Sequence, residues 1–317
     1  MKKLLLILIC LTLFVGACST QDSSKKNDSE NKSTEKSFKD DTAKEVKIPK
    51  NPKRIAVLHP TYIGALVKFG HKPIAVPEFV EKNKVLNDAT KGIKRIDNTS
   101  VEQVTKQKPD LIVTTIQDKN IKKLQKIAPT VAFDSEKSTY KDHAKKLAAL
   151  VNEESKAKQW IKDWDKQMAD DKKELSPLIK GKTVSVLQQT PKGTMAFSDH
   201  LGRGTEILYD GYGMKQPKAL EKATQDKFAT PINPENFKDY IGDFAVIATN
   251  GDQPAPFENT NYWNNLLAVK DNQVIKFDVT ETQYNDPISL EKQRDIFYKA
   301  LKSKNNIVHL VSFLLVL

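Results

Sequence analysis

Arg203 stands between two glycines, in the run Ser198-Asp199-His200-Leu201-Gly202-Arg203-Gly204 that follows the strand-like Met195-Ala196-Phe197. Flanking glycines free the backbone from Cβ sterics. A guanidinium held there can donate several hydrogen bonds to polarised oxygens. The arginines are Arg54, Arg95, Arg203 and Arg294, although lysine and arginine together number 51. Two more polar runs sit at the ends of predicted strands. His59-Pro60-Thr61-Tyr62 follows Ile55-Ala56-Val57-Leu58, and Thr280 to Pro287, with Gln283-Tyr284-Asn285-Asp286 inside it, precedes the last helix. Ligands bind α/β folds at the carboxyl ends of strands. His59, Tyr62, Arg203 and Tyr284 are therefore candidates for ligand contact.

Other chemistries lack their residues. No His-Glu-x-x-His and no Gly-x-Ser-x-Gly elbow occurs. Gly181-Lys182-Thr183 imitates the end of a phosphate-binding loop, but Ser176 stands where that loop needs its first glycine, and a strand follows. Gly202-Arg203-Gly204 lacks the rest of a dinucleotide fingerprint. His59, His71, His143, His200 and His309 are scattered with no i,i+4 pair, so a metal site built from His59, His143, His200 and a carboxylate has no motif behind it. The two cysteines, Cys10 and Cys18, exclude a disulfide framework and a thiolate zinc cluster. The net charge of +11 is almost all lysine, spread through every segment. That reads as a solvated surface, not as a nucleic-acid interface with interleaved arginine and aromatic residues. Neither an enzyme nor a resident cofactor or metal is expected.

The elements that must position these residues begin after a leader. Met1-Lys2-Lys3, the uncharged run Leu4 to Val15 and the small Gly16-Ala17 have the layout of a secretory signal peptide over 1–17. Val15-Gly16-Ala17-Cys18 resembles a lipobox, which makes Cys18 the lipidated first mature residue. Residues 18–46 are polar and charged, and are expected to form a disordered tether. From residue 47 short apolar runs alternate with helical stretches, giving an α/β lobe over 47–152 with a mainly parallel sheet. Ala157, Trp160, Ile161, Trp164 and Met168 fall at helical spacing and predict one long helix over 153–175, ended by Ser176-Pro177. The α/β alternation resumes over 176–304, with a closing helix from Pro287 to Lys304. The fold class is α/β: two similar lobes joined by a long helix. The apolar tail 305–317 is too short to span a bilayer.

One unit occurs in both lobes. Ser100 caps a helix, Glu102 lies two residues beyond the cap, and Asp110 opens a strand eight residues after the glutamate. In the second lobe Asn233 is the cap, Pro234 is the first helical residue, Glu235 lies two beyond the cap and Asp243 follows eight later. A first-turn glutamate is favoured by the helix dipole alone. The repeated unit implies two surface carboxylates at equivalent places.

These features resemble the iron-siderophore class of ABC-importer substrate-binding lipoproteins. The segments Pro52-Lys-Arg-Ile-Ala-Val, Pro60-Thr61-Tyr62, Lys108-Pro-Asp-Leu-Ile, Gln125-Lys-Ile-Ala-Pro-Thr, Gly202-Arg-Gly, Asn261-Tyr-Trp-Asn-Asn-Leu and Tyr284-Asn285-Asp286-Pro287 resemble FhuD-type ferric hydroxamate receptors of Gram-positive bacteria over about residues 45–304. The resemblance implies a class III periplasmic-binding-protein-like fold and an iron(III) trishydroxamate bound between the lobes. Arg203 matches the arginine that donates to the hydroxamate oxygens, and Tyr62 and Tyr284 match cleft positions. Glu102 and Glu235 match the glutamates that dock the permease. It further implies a monomer anchored by lipid at the extracellular face of the cell membrane. Leu201 stands where the family commonly has tryptophan, Gln283 stands where it has an aromatic, and tyrosines expected near Thr115, Ser135 and Met195 are absent, although Phe197 remains. A less aromatic cleft is expected. Receptors for haem, a corrinoid, a catecholate siderophore or a metal ion are the alternatives.

Overall fold

The structure, a computed structural model, describes residues 34–251 and 253–314, with side chains as far as Lys304. The expected signal peptide, Cys18 and the tether as far as Ser33 lie outside the described residues.

The chain is first described as a hairpin of β1 (Glu35–Lys39) and β2 (Glu45–Pro49), with Phe38 opposite Val46. This corrects the tether, whose second half is ordered. Its charges find partners on the first lobe: the Asp40 carboxylate accepts from the Ala132 N–H at 3.2 Å, and Asp41 accepts from the Asp134 N–H at 2.9 Å and from Lys146 Nζ at 2.6 Å. Phe38 meets Phe133 edge-on at 6.1 Å.

The first lobe alternates β3 (Ile55–Val57), α1 (Ile63–Lys68), β4 (Ala75–Pro77), α2 (Lys84–Ala89), β5 (Lys94–Ile96), α3 (Val101–Lys106), β6 (Leu111–Thr115), α4 (Ile121–Leu124), β7 (Thr130–Phe133) and α5 (Tyr140–Leu150). Its sheet runs β5-β4-β3-β6-β7, all parallel. Central strands such as β3 are buried along their whole length, as a sheet covered on both faces requires.

After α6 (Glu154–Ile179), the second lobe contains β8 (Val184–Thr190), β9 (Gly193–Phe197), α7 (Lys218–Ala223), β10 (Ala229–Pro231), α8 (Phe237–Tyr240), β11 (Phe244–Thr249), α9 (Asn261–Asn264), α10 (Leu267–Lys270), β12 (Val274–Asp278) and α11 (Pro287–Leu314). The sheet order is β10-β9-β8-β11-β12. It is mixed: β8, β11 and β12 are parallel, but β9 is antiparallel to both β8 and β10. The cause is local. Only Pro191-Lys192 separates β8 from β9, and so short a connection makes a hairpin.

Helix α6 buries Ala157, Trp160, Trp164 and Met168 as their spacing predicts, and continues through Pro177. Leu178 and Ile179 explain the extension. Both are buried, each such side chain contributes about 1.5–3 kcal/mol, and a proline in the last turn forfeits a single hydrogen bond. Helix α11 likewise runs past its expected end to Leu314. Arg294 clamps α11 to α6, its Nε at 2.6 Å and Nη2 at 2.5 Å from the two oxygens of buried Asp171.

Further ties join the lobes. The N–H groups of Lys84 and Val85 donate to the carbonyls of Thr280 and Glu281 at 2.8 and 3.0 Å. Lys68 pairs with Glu291 at 2.7 Å, and the Tyr140 hydroxyl donates to Asp210 at 2.9 Å. Gly64 has no room for a Cβ, which would lie 1.6 Å from Asp286 Oδ1.

The two strand-opening aspartates do the same work in both lobes. Asp110 accepts from the Arg54 N–H at 2.9 Å just before β3, and Asp243 accepts from the Thr183 N–H at 2.8 Å just before β8. Each ties the lead-in of a strand to that of its parallel neighbour.

Candidate functional site

The loop after β9 carries four consecutive residues in the left-handed region: Leu201 (φ 79°), Gly202 (91°), Arg203 (60°) and Gly204 (84°). The glycines are also needed for space. A Cβ on Gly202 would lie 2.1 Å from the Gln283 carbonyl oxygen, and one on Gly204 would lie 2.0 Å from the Phe297 ring. Arg203 and Leu201 have no such freedom, and both are held by partners. The buried Glu206 carboxylate accepts from the N–H groups of Leu201 and Gly202, each at 2.9 Å, and from the Thr205 hydroxyl at 3.1 Å. The Arg203 N–H donates to the Gln283 carbonyl at 2.9 Å. Glu206 begins a π-helical stretch, Glu206–Gly211.

This loop lays the Arg203 guanidinium over the Phe197 ring, 4.3 Å from its centroid, and Nε donates to Gln188 Oε1 at 2.8 Å. Among the described residues neither terminal amino group has a hydrogen-bond partner, although burial lowers the guanidinium below its ordinary pKa. A charged group so placed retains donors for an external oxygen. The Tyr284 hydroxyl is raised by burial, with Gln283 and the positive Arg203 acting against that shift. Tyr284 therefore stands close enough to feel the guanidinium.

The other expected contacts are distributed unequally. Tyr62 is a correction: it is 0% exposed, its ring meets Phe133 at 5.5 Å and His143 at 5.2 Å, and its hydroxyl donates to the Phe133 carbonyl at 3.1 Å. It ends the short 3-10 turn Pro60–Tyr62, which turns that side chain into the core. It supports His59 from behind, the rings lying 5.1 Å apart. His59 is partly buried, Nδ1 has no partner among the described residues, and burial together with nearby His143 pushes its pKa down to about 4. Leu201 acts through its main chain, and Gln283 through its carbonyl on the Arg203 N–H and its side chain on the Tyr284 hydroxyl. His200 pairs with Asp199 at 2.8 Å, which raises its pKa, and the Glu136 backbone of the first lobe adds to that effect. Among the described residues no group of three His, Cys, Asp or Glu is arranged to hold a metal ion.

Sequence reasoning missed three residues. Gln188 and Glu206 orient Arg203 but carry no motif. Phe228 is 54% exposed and packs on Phe197 at 6.4 Å, which restores aromatic surface beside the guanidinium. Its signal was an isolated aromatic in the polar run Gln225-Asp226-Lys227 before β10.

Glu102 and Glu235 are both exposed. Ser100 caps α3 by accepting from the Gln103 N–H at 3.3 Å, and Glu102 pairs with Lys106 at 2.7 Å. The second unit differs from its expectation. Pro234–Asn236 is a 3-10 turn leading into α8, and the Asn233 side chain makes no capping bond.

Two α/β lobes spanned by one helix, with strand-end loops meeting between them, define the class III periplasmic-binding-protein fold. The family model described as periplasmic binding protein matches residues 55–279, and the chain belongs to that family, one of substrate-binding proteins and not of enzymes. Within it the chain groups with FhuD-type proteins. It is 35% identical to the iron(3+)-hydroxamate-binding protein FhuD of Bacillus subtilis (strain 168), over 92% of this chain and 95% of that one. It is 32% identical to the iron(3+)-hydroxamate-binding protein YxeB of the same organism, over 93% and 95%. Among solved structures, FhuD2 of Staphylococcus aureus with bound ferrioxamine B is 37% identical, with a TM-score of 0.76 over 80% of this chain and 99% of that one. The FhuD protein of S. pseudintermedius is 34% identical, with a TM-score of 0.80 over 84% and 98%.

Proposed function

We propose that this protein is a receptor that captures iron(III)–hydroxamate siderophores and delivers them to an ABC importer. The observation that carries the reading is the Arg203 guanidinium, laid on Phe197, tied to Gln188 and left, among the described residues, with both terminal amino groups unpartnered. Three hydroxamates neutralise iron(III), so such a chelate offers polarised oxygens without net charge at the metal. One arginine with Phe197, Phe228 and Tyr284 around it suits that chemistry. A polycarboxylate chelate would call for a cluster of arginines. The names of the relatives support the same ligand class. His59, Leu201, Gln283 and Tyr62 complete the proposed site, Tyr62 as a support behind His59.

Delivery would use Glu102 and Glu235 as carboxylates for a permease, and lipidation of Cys18 would hold a monomeric receptor at the extracellular face of the membrane. Calorimetric titration tests the ligand. Ferrioxamine B should bind saturably at one site. Saturable binding of haem or a ferric catecholate with no binding of ferrioxamine B overturns the reading.

A further inference from the structure

The hairpin, α5 and the start of α6 enclose a hollow of about 660 Å³. Phe38 of β1 and Ile161 of α6 give it an apolar floor, and Lys39, Lys145, Lys146 and Lys158 stand around it. None of these residues belongs to the proposed ligand site. The walls are fixed to one another. Lys36 Nζ, on β1, donates to the Ala149 carbonyl at the end of α5 and to Asn152 Oδ1, each at 2.6 Å. Phe38 is held edge-on to Phe133. A hollow with fixed walls costs little ordering when something enters it.

The fold leaves this floor unfinished. Ile161 shares the helical spacing of Ala157, Trp160, Trp164 and Met168, yet those four are buried and Ile161 is only half-buried, as is Phe38. The cations above it are in excess. Lys39 and Lys158 are exposed and have no ion pair or hydrogen bond among the described residues. Lys145 has Asp142 at 3.5 Å, and Lys146 is held by Asp41 at 2.6 Å. Glu154 is the opposing acid on the same rim. Its field falls partly on Lys36, whose pKa burial lowers and Glu154 acts to raise. Lysine stems cover apolar surface while their ammonium groups stay in water. As compact point charges they suit a phosphate that need not be gripped in one orientation.

We infer that this hollow seats the headgroup of an anionic phospholipid of the membrane, its phosphate against Lys39 and Lys158 and its first acyl carbons against Phe38 and Ile161. The hairpin face of the first lobe then lies on the membrane surface. This rests on the lipidation of Cys18 proposed above. Thr34 stands sixteen residues after Cys18, and a chain of that length spans at most about 55 Å even fully extended. A lipid on Cys18 therefore keeps the hairpin, with Phe38 and Lys39 on its first strand, beside a bilayer at high effective concentration. Apolar floor and cationic rim together match an amphiphile with a negative head, the combination by which surface-bound proteins hold anionic lipid.

The test uses the full chain, processed and anchored at Cys18, in vesicles of phosphatidylcholine alone and of phosphatidylcholine mixed with phosphatidylglycerol. Amine labelling read by mass spectrometry reports on each lysine. On the mixed vesicles Lys39 and Lys158 should label about fivefold more slowly, the effect of one lysine at an anionic surface. Exposed Lys238, on α8 of the second lobe, should label equally on both. Lys39→Gln should release most of the protection at Lys158, and so should Ile161→Asn, which removes no charge. Ferrioxamine B affinity should be unchanged in both variants. Equal labelling of Lys39 and Lys158 on the two kinds of vesicle overturns the inference, and leaves the anchor standing where the receptor stays on washed neutral vesicles. Equal protection of Lys238 shows a diffuse attraction without a seat and also overturns it. Protection on neutral vesicles by added glycerol phosphate shows a free anion as the occupant and overturns the membrane as its source. A receptor that washes off neutral vesicles overturns the lipidation reading, and this inference with it.

Discussion

Both oxygens of the Glu206 carboxylate accept from the Gly202 N–H, at 2.9 and 3.1 Å. Through that bond a buried acid sets the backbone that carries Arg203.

Glu206→Gln therefore tests positioning at a distance. An amide presents one oxygen and one NH2 group where two main-chain donors and a hydroxyl now converge, so a buried donor loses its acceptor, at about 1–3 kcal/mol. The melting temperature should fall, and ferrioxamine B affinity should fall by roughly three- to tenfold with it. A lower melting temperature with unchanged affinity would show that the loop holds its shape without Glu206.

Arg203→Ala removes the proposed charge-assisted hydrogen bonds and should weaken ferric hydroxamate binding about ten- to a hundredfold, with folding preserved. Arg203→Lys should recover little of this. A lysine can neither hold the fork geometry to Gln188 nor stack a planar group on Phe197. Calorimetry on both variants checks it, and near-normal affinity of the lysine variant would make charge alone sufficient.

Asp171→Ala should lower stability by about 1–3 kcal/mol, because it takes the acceptor from Arg294 Nε and Nη2 and from the Tyr212 hydroxyl and leaves the guanidinium only Asp295, at 3.0 Å. The double variant with Arg294→Met should recover a large part of the loss. Urea unfolding of the two proteins decides whether the clamp between α6 and α11 is structural in this way. Equal stability of the single and double variants would count against it.

Two buried groups give opposing pH dependences. Burial pushes the Asp286 carboxyl up from 3.8 to about 7. Between those values the folded state keeps a proton that the unfolded chain releases, so stability falls as pH rises through this window. His59 is pushed down from 6.5 to about 4, so its contribution is lost as pH falls between those values. The slopes offset each other where they overlap. Asp286→Asn keeps an oxygen for the Ser289 N–H, which Asp286 Oδ1 now caps at 3.1 Å, and removes the first slope. Unfolding from pH 4.5 to 7.5 should show the variant gaining on the wild type as pH rises. A constant difference would mean that Asp286 does not titrate in that range.

Local order and periodicity were legible from the chain alone. Trp160, Trp164 and Met168 recur at helical spacing, so any helix there has one apolar face and must bury it. Short apolar strands between capped helices force a layered α/β arrangement. Two glycines around one arginine mark a backbone that L side chains rarely adopt. These properties depend on neighbours in sequence. Tertiary structure decided what such neighbours could not. Tyr62 is enclosed because Phe133 and His143, far along the chain, close over it. Residues 35–49 are ordered because β7 and Lys146 receive the charges that otherwise mark a solvated tether. Gln188, Glu206 and Phe228 gain their roles around Arg203 only when β8, β9 and β10 lie side by side. A hydrogen bond or a ring contact is decided by a few ångströms, and only the folded chain sets that distance between residues remote in sequence.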